Sequence, residues 1–422
     1  MTVDLPLRRS YWGPDTAAEL APPLQGDVEA DLTVVGGGVI GVSTAIAAHD
    51  AGLDVVLLER AFVGHGASGR AAGMLTLPVT WGETAAPWLA DDAMAKSVLR
   101  WSQDAIDAAE RFLGENGVAC GLLRRPLWLV AHDQAVYEDL VRASSLLRGA
   151  GIAAEPLRDS WPTTYRSFGA LRLDNQAVVD PWSMVRGLRA AALRRGVRLF
   201  ERTAVDDVTG GEPVTVRAPG GTVRSKYAVL TVNGFSGALS RRDDLLVPCR
   251  VYAAATAPLP PAARQAIGPA DDVILNDFRG RSGGPRLFER FRQSGELIFG
   301  ASTLWPPKDL DQDWDARSFR FLLRELQRRY PGLGDPPIAT VWSGLECFTR
   351  SGLPILDWLP NLQNVAIGVI GNGRGLGLGT TCGRLLVSRL LDKPTNDKAS
   401  DLFLSLCSLA SAAGPVGATN SI

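Results

Sequence analysis

The pattern of apolar and polar positions begins with one parallel βαβ unit near the N-terminus. Short apolar runs at residues 32–35 and 55–58 each predict a buried strand. Between the two runs lies a helix of small residues that extends through His49 and ends near Gly52. The order strand, helix, strand is typical of a nucleotide-binding sheet.

The rest of the chain mixes helical and strand patterns, which predicts an α/β (mixed α+β) protein. Apolar residues recur at helical spacing in four segments, residues 92–113, 134–149, 182–195 and 315–330, and a closing helix includes 384–391. Strand patterns occupy residues 127–130, 197–200, 228–232 and 364–370. Residues 203–236 alternate like β-structure, and several strands between residues 247 and 305 favour an antiparallel sheet.

The turn after the first strand has the form G-x-G-x-x-G. Gly36 permits a tight turn, Gly38 lets the backbone approach a pyrophosphate, and Gly41 allows close packing of helix on sheet. Glu59 follows the second strand, where its carboxylate can accept hydrogen bonds from a ribose. This arrangement predicts a dinucleotide site; the alternative is a glycine-rich turn without a ligand.

Two further glycine-rich segments point to the same ligand. Residues 62–74 carry Ser68 and Arg70, which can meet phosphate or ribityl oxygens, unless this segment is only a surface loop. Glycines at every second position from 371 to 379 crowd a strand-to-helix turn that contains Arg374. Backbone amides, a helix dipole and a guanidinium there can stabilise a reduced flavin; the alternative is a loop that only packs helix on strand.

Composition excludes several classes of function. With 422 residues, 46% hydrophobic residues and a net charge of -1, the sequence predicts a two-domain globular enzyme with no affinity for nucleic acid. Five scattered cysteines and three dispersed histidines argue against a metal site and favour a reducing, cytoplasmic compartment. We expect no signal peptide and no membrane span, because long apolar runs are absent.

The sequence resembles the FAD-dependent oxidoreductases of the D-amino-acid oxidase family, from about residue 24 to residue 391. The resemblance is closest to the γ-glutamylputrescine oxidoreductase-like branch. The segments that carry it are LQGDVEADLTVVGGGVIGVSTA, VGHGASGR, VVDPWSMVRGLRAAALRRGV, AVLTVNGF, VPCRVYAAATAPL and the C-terminal glycine turn.

This resemblance implies a Rossmann-type FAD-binding domain interleaved with a substrate domain built on a large antiparallel sheet. It assigns residues 30–80, 175–238 and 335–395 to the FAD-binding domain and 81–174 and 239–334 to the substrate domain, between an N-terminal arm (1–29) and a C-terminal tail (396–422). We expect the small and polar residues 405–422 at the end of this tail to be frayed. The implied cofactor contacts come from Gly36, Gly38, Val39, Ile40, Gly41, Glu59, Arg60, Ala67, Ser68, Arg70, Val205 (by its backbone), Gly373, Arg374, Gly375 and Leu376.

Three departures from the family pattern bear on the chemistry. The positions of the cysteine or histidine that hold covalent flavin in some members fall on Gly344 and Arg70, and Cys347 is offset by three residues, so we expect non-covalent FAD. The segment that carries an oxygen-activating lysine in some amine oxidases has Arg290 and Arg292 but no lysine. The usual GRNGG is Gly-Arg-Ala-Ala-Gly at residues 69–73, and arginine replaces the usual histidine at position 374.

The expected activity is oxidation of the C–N bond of an amine or amino acid to an imine, by hydride transfer to flavin and reoxidation by oxygen. The candidate catalytic residues are Arg374, Arg290 and Arg292. Candidates to hold a substrate carboxylate are Arg281, Arg286, Arg290 and Arg292, and candidates to wall the pocket are Trp81, Trp305, Trp342 and Trp358; core packing or a solvated strand face is the alternative for each. For His65, next to the flavin loop, packing or hydrogen bonding is favoured over a general-base role.

Three other functions stay open at this point. The protein can be a dehydrogenase that passes electrons to a quinone or a protein carrier. It can be a biosynthetic flavoenzyme that acts on a secondary-metabolite amine, or a flavin-binding subunit without activity. The sequence names neither the substrate nor the oligomeric state.

Overall fold

The computed structural model describes residues 7–16, 19–77, 87–158, 163–165, 167–268, 273–278, 286–302, 307, 309–312, 314–395 and 397–409. Within these ranges the chain forms two large sheets with helices packed around them. No helix in these ranges is long and apolar enough to cross a membrane. All five cysteines are buried and unpaired.

The first sheet contains the predicted βαβ unit. Five of its strands are parallel, in the order β17, β10, β1, β2, β7, and β16 closes one edge antiparallel to β17. The strand predicted at residues 197–200 is confirmed, and it joins this sheet as β7 by pairing with β2. The strands of this sheet are β1 Val28–Val35, β2 Val55–Leu58, β7 Arg198–Phe200, β8 Asp207–Thr209, β9 Val214–Ala218, β10 Gly221–Leu230, β16 Ile355–Trp358 and β17 Val365–Val369.

The second sheet has nine strands and is almost entirely antiparallel. Its order is β15-β11-β14-β13-β12-β4-β6-β3, and β5 also pairs with β6. Among the described strands of this sheet, β12 and β4 form the one parallel pair. Its strands are β3 Met74–Leu75, β4 Leu123–Ala131, β5 Ala154–Leu157, β6 Gly169–Val178, β11 Leu246–Thr256, β12 Val273–Phe278, β13 Leu287–Phe291, β14 Leu297–Ser302 and β15 Ile338–Thr349.

The helices begin where the sequence places capping residues. Asp91, Asp133, Asp180 and Asp315 each accept a hydrogen bond from a first-turn amide, which satisfies a group that the helix itself leaves unpaired. The helices are α1 Val39–Asp50, α2 Asp92–Glu115, α3 Gln134–Gly149, α4 Pro181–Arg195, α5 Ser236–Ser240, α6 Pro261–Ile267, α7 Ala316–Arg329, α8 Gly375–Leu390 and α9 Lys398–Leu406.

The two faces of the nine-stranded sheet have different neighbours. Because side chains alternate along a strand, every second residue points to the same face. One set packs against α7 and forms an apolar core; we call this side the helix face, and it includes Tyr252, Leu275, Leu287, Phe299 and Val341. The other set lines a large cavity; we call this side the cavity face, and it includes Asn276, Phe278, Phe288, Trp342 and Glu346.

Two segments differ from the sequence-based expectation. The domain boundaries stay a prediction, but β15, which they place with the FAD-binding segments, pairs with β11 in the nine-stranded sheet. The predicted fraying from residue 405 is wrong at its start, since α9 is capped by Asp397 and extends to Leu406, and its Phe403 ring stacks on Trp101 with 3.5 Å between the ring centroids. Cys407 is fully buried beyond that helix; residues 410–422 lie outside the described ranges.

Candidate cofactor and substrate site

A cavity of about 1070 Å³ extends from the carboxyl ends of the parallel strands to the cavity face of the nine-stranded sheet. Its volume is at the upper end of the range of roughly 300–1,000 Å³ that is usual for small-molecule sites. In open parallel sheets a nucleotide binds at the carboxyl ends of the strands. The cavity therefore has room for a long cofactor and a substrate together.

The first glycine turn has the geometry that its sequence predicts. Gly36 has φ +112°, a conformation that other residues avoid, and a Cβ at Gly41 would lie 1.9 Å from the Gly36 carbonyl oxygen. A Cβ at Gly38 would lie 3.1 Å from the Ser68 hydroxyl. Gly36 and Gly38 line the cavity, with Val39 and Ile40 of α1 beside them, so the positive end of the helix dipole faces this space.

Glu59 is buried at the end of β2 and lines the cavity. Its carboxylate accepts hydrogen bonds from the Gly37 amide at 2.7 Å and the Ala61 amide at 2.9 Å. Burial raises the pKa of Glu59, although these two hydrogen bonds act in the opposite direction. Next to it, Arg60 pairs with Asp311 at 2.8 Å and lies over the Phe235 ring.

The loop between β2 and β3 is fixed on both sides of the cavity. The Ser68 hydroxyl accepts a hydrogen bond from the Val39 amide at 3.0 Å, at the start of α1. Arg70 donates to the carbonyl of Ser343 on β15 at 3.1 Å, and the Trp342 indole donates to the carbonyl of Arg70 at 2.8 Å. These bonds hold Ala67, Ser68 and Arg70 along the cavity, where His65 also lies.

The second glycine turn joins β17 to α8. Gly371, Asn372 and Gly373 all have positive φ, and the Asn372 side chain bonds to Thr349 at the end of β15. Arg374 is only 6% exposed and donates to the carbonyl of Gly352 at 3.1 Å. The turn therefore presents its backbone and one buried guanidinium to the cavity together with Gly375 and Leu376.

Arg374 belongs to a charged group that we call the cavity cluster: Arg286, Glu346 and Arg374. The Glu346 carboxylate accepts a hydrogen bond from the Gly373 amide and interacts electrostatically with both arginines. Burial and the proximity of Arg286 lower the pKa of Arg374 to about 9, and burial lowers the pKa of Arg286 to about 10. Burial raises the pKa of Glu346. Two guanidinium groups face one carboxylate, so the cluster has an excess of positive charge.

The structure brings most predicted cofactor residues to the cavity but not two of the candidate catalytic arginines. Arg290 is buried away from it and donates to the carbonyls of Ala72, Gly73 and Val179. Arg292 contacts the Tyr11 hydroxyl and pairs with Glu296 at 3.8 Å. Both follow Arg286 and Phe288 on the same side of β13, beyond the end of the cavity.

The aromatic candidates divide in the same way. Trp342 lines the cavity, whereas Trp358 packs against Tyr227 at the edge of the parallel sheet. Trp81, Trp305 and Arg281 lie outside the described residues. Val205 lines the cavity together with its neighbours Thr203, Ala204 and Asp206.

The sequence analysis missed the acid of the cavity cluster and most of the apolar wall. Glu346 belongs to no local motif. The one signal in the sequence is the alternation of side chains along β15, which puts Glu346 on the same side as Trp342, Gly344 and Phe348. The wall residues come from four strands and one turn: Leu127 and Leu129 of β4, Phe278 of β12, Phe288 of β13, Phe348 of β15, and Leu310 in the turn. Among the described residues no group of histidines, cysteines and acids could hold a metal ion.

A glycine turn that would reject a Cβ, an acid at the end of β2 and a second glycine turn with a buried arginine fit an FAD that spans the cavity. These features define a flavin-dependent oxidoreductase. The model of the family described as "FAD dependent oxidoreductase" (DAO) matches residues 31–389, and the chain belongs to this family.

Individual relatives agree with this result. The chain is 26% identical to a probable oxidoreductase, OrdL, of Rhizobium meliloti (strain 1021), over 94% of this chain and 91% of that protein. It is 24% identical to the γ-glutamylputrescine oxidoreductase of Escherichia coli (strain K12), over 78% of this chain and 77% of that protein. The crystal structure of glycine oxidase from Geobacillus kaustophilus superimposes with a TM-score of 0.72 at 22% identity, covering 90% of this chain and 98% of that one.

The family and the geometry confirm several sequence-based predictions. The fold is the expected one, the protein is an FAD-dependent oxidoreductase, and its cofactor is FAD. Cys347 is not among the described residues that line the cavity; its thiol donates to the Asn233 side chain at 3.0 Å.

Proposed function

We propose that the protein oxidises the C–N bond of an amine or amino acid to an imine. FAD supplies the chemistry, because its flavin ring accepts a hydride from the carbon next to nitrogen. The observation that carries the proposal is the cavity cluster, which stands beside the second glycine turn on one side and an apolar wall on the other. This is an electrostatic site built to hold an organic ion against a flat cofactor.

The cofactor contacts that we propose follow the cavity from end to end. Val205 and Glu59 would hold the adenosine part, with Arg60 beside it. The turn of Gly36, Gly38 and Gly41 and the start of α1 at Val39 and Ile40 would hold the pyrophosphate, and Ala67, Ser68 and Arg70 would hold the ribityl chain. The pyrimidine edge would lie on Gly373, Arg374, Gly375 and Leu376.

The protein's part in the reaction is to orient the substrate and exclude water. The side chains of Leu127, Leu129, Phe278 and Phe288 give the substrate end of the cavity an apolar wall. Such a wall strengthens any ion pair formed inside it. Of the predicted carboxylate-binding arginines that the structure describes, Arg286 is the one that lines the cavity, and a guanidinium can hold a carboxylate by two parallel hydrogen bonds.

We propose oxygen as the electron acceptor. The second candidate function is a dehydrogenase that passes electrons to a quinone or a protein carrier. No lysine is among the described residues that line the cavity, so the group that helps to activate oxygen in some amine oxidases is missing from this part of the site. A dehydrogenase would reduce its flavin with substrate but recover slowly in air. The cytoplasmic location stays a prediction.

The test is to follow the flavin absorption of the purified protein. Primary, secondary and γ-glutamyl amines and the common amino acids are added without oxygen, and air is admitted afterwards. Bleaching by one class, with recovery and release of peroxide, supports the oxidase. Bleaching with slow recovery supports the dehydrogenase. Flavin that no member of the panel bleaches would contradict the proposal and leave a cofactor-binding subunit without activity.

A further inference from the structure

Residues 7–16 of the N-terminal arm, which we call the arm segment, are buried in part although they form no helix or strand. The first residues of a domain are usually poorly ordered unless contacts hold them in place. Here Arg9, Ser10 and Trp12 are each less than a tenth exposed. The arm segment therefore packs like part of the core, and its partners indicate what it does.

The partners of Ser10 and Trp12 are carbonyl groups of the loop between β2 and β3. The Ser10 hydroxyl donates to the Gly69 carbonyl at 3.0 Å and accepts a hydrogen bond from the Trp12 amide at 3.1 Å. The Trp12 indole donates to the Ala71 carbonyl at 2.7 Å. A backbone carbonyl away from water needs a hydrogen-bond donor, and these two side chains supply one each.

The neighbouring carbonyls of this loop are held from the nine-stranded sheet. The Trp342 indole donates to the carbonyl of Arg70 at 2.8 Å, and Arg290 donates to the carbonyls of residues 72 and 73 at 3.1 and 3.2 Å. The Arg290 guanidinium in turn lies 5.0 Å from the centroid of the Trp12 ring. Five consecutive carbonyls, those of residues 69–73, therefore accept hydrogen bonds from side chains outside the loop, and the arm segment supplies two of these bonds.

The other side of the same loop borders the cavity. Residues 65–68 and 70–72 line it, and the Ser68 hydroxyl accepts the hydrogen bond from the Val39 amide at the start of α1. Ser68 and Arg70 are contacts that we propose for the ribityl chain of FAD. A shift of the loop would therefore displace both side chains from the cofactor.

We propose that Ser10 and Trp12 are positioning residues of the cofactor site, which hold the loop between β2 and β3 against FAD, so that docking of the arm segment and binding of FAD strengthen each other. This inference rests on the cofactor contacts proposed above and is independent of the substrate. The coupling is reciprocal: FAD favours the docked arm by the same factor by which the docked arm favours FAD. The arm segment thus belongs to the FAD site although none of its residues lines the cavity.

Tyr11, which lies between the two positioning residues, provides a matched control. Its hydroxyl donates to Glu296 beside β14 at 3.0 Å, and its ring stacks on Trp342 at 6.2 Å between the ring centroids. These contacts join the arm segment to the nine-stranded sheet rather than to a carbonyl of the loop. Tyr11→Phe therefore removes one hydroxyl from the same segment and leaves the bonds of Ser10 and Trp12 to the loop intact.

The experiment measures how fast FAD leaves the holoenzyme. Wild type, Ser10→Ala, Trp12→Phe and the double variant are diluted into buffer without FAD, and the rise of flavin fluorescence reports release. We expect each single change to speed release about 2- to 10-fold, and the double change about 4- to 100-fold, in line with the net contribution of neutral hydrogen bonds. Tyr11→Phe should release FAD at the wild-type rate.

A second measurement tests the reciprocal effect of FAD on the arm. Arg8, whose side chain is 53% exposed, is a site for trypsin at the beginning of the arm segment. Intact mass reports the loss of the residues before Arg9, first in the wild-type holoenzyme and then after FAD has been released by dilution. When the arm opens and closes faster than trypsin cuts, cleavage reports the undocked fraction. Bound FAD should therefore slow cleavage by at least the factor by which the double variant speeds release.

Three results would overturn the inference: FAD release from Ser10→Ala and Trp12→Phe at the wild-type rate, equally fast release from Tyr11→Phe, or arm cleavage that FAD does not slow. Ser68→Ala tests the premise. Faster release from Ser68→Ala alone would contradict the role of the arm, whereas unchanged release from all the variants would contradict the proposed loop contacts as well. Failure of the proposed function is distinct, because a flavin that no amine or amino acid bleaches still has a measurable rate of release.

Discussion

Each face of the nine-stranded sheet carries arginine and acid side chains, but the two groups have opposite surroundings. On the helix face, Arg329 donates to both oxygens of Asp277 at 2.6 and 2.5 Å and to Glu289 at 2.5 Å. All three side chains are almost fully buried, and Tyr330 donates to the remaining oxygen of Glu289. We call Arg329, Asp277, Glu289 and Tyr330 the helix-face network. On the cavity face, the cavity cluster has more cations than anions and borders open space.

The difference separates charges that neutralise one another inside the fold from charges that border a cavity large enough for a ligand. In the helix-face network, acids outnumber the arginine, and they raise the pKa of Arg329 above its ordinary value in spite of burial. In the cavity cluster, burial lowers the pKa of both arginines, and the proximity of Arg286 lowers the pKa of Arg374 further. An arginine held below its ordinary pKa gains stability when an anion arrives beside it. Removing an arginine from the helix face should therefore cost stability, and removing one from the cavity face should cost function.

The largest effect is expected for Arg329→Met. This change leaves Asp277 and Glu289 buried without their cation, and breaking a buried ion pair in this way costs about 3–5 kcal/mol. Chemical denaturation of the holoenzyme measures the loss of unfolding free energy. The matched control is Arg328→Met, its neighbour on α7, whose pair with Glu325 is exposed and should contribute no more than about 1 kcal/mol.

A small loss of stability in Arg329→Met, equal to that of the control, would contradict the comparison. It would mean that the two acids take up protons and remain buried at little cost. Whatever the stability, the fraction of Arg329→Met that stays folded should reduce its flavin at nearly the wild-type rate, because Arg329 faces away from the cavity.

A smaller effect is expected for Arg374→Met, and it should lower the rate of flavin reduction rather than the stability of the fold. A single preorganised donor aimed at developing negative charge contributes about 2.7–4 kcal/mol, or 10²–10³ in rate. Anaerobic flavin reduction should slow by roughly that factor, and the midpoint potential should become more negative. The unfolding free energy of the apoprotein should change little, since burial and the proximity of Arg286 lower the pKa of Arg374 to about 9 and so disfavour its charge.

The control for this change is Arg350→Met, an exposed arginine just beyond β15. It should leave rate and potential unchanged. An Arg374→Met enzyme with a normal potential and a normal rate would place the reduced flavin away from the second glycine turn and would remove the reason for assigning Arg374 to the cofactor.

The same contrast explains what could be predicted from the sequence. The two glycine turns and Glu59 were predictable because their geometry depends on residues close together in the chain: Gly41 needs only its neighbour Gly36 to exclude a Cβ. The cavity cluster joins positions 286, 346 and 374, which meet only through the pairing of β15, β11, β14 and β13. No local pattern contains that information.

Strand β15 shows why the functional face is also the hard one to recognise. Its side chains alternate between the core and a cavity, so glycine, serine and glutamate replace the apolar residues of an ordinary buried strand. Alternation along β13 and its flanking residues puts Arg286, Arg290 and Arg292 on one side, but it does not indicate where along the strand the cavity ends. The arginines beyond that end stabilise backbone carbonyls or pair with Glu296 instead.

The smallest and most selective effect is expected for Arg286→Met, which tests whether the cavity cluster binds a substrate carboxylate. A hydrogen bond to a charged group contributes about 1.5–3 kcal/mol, so the dissociation constant for an amino acid should rise about 10- to 150-fold. The matched decarboxylated amine should bind as well as before or better, because a cation has left the site. Stopped-flow titration with the two compounds measures both constants in one enzyme. Equal losses for both compounds would assign Arg286 to packing against Phe348, over which its guanidinium lies at 5.5 Å from the ring centroid, and the cavity face would then lack a described group for the carboxylate.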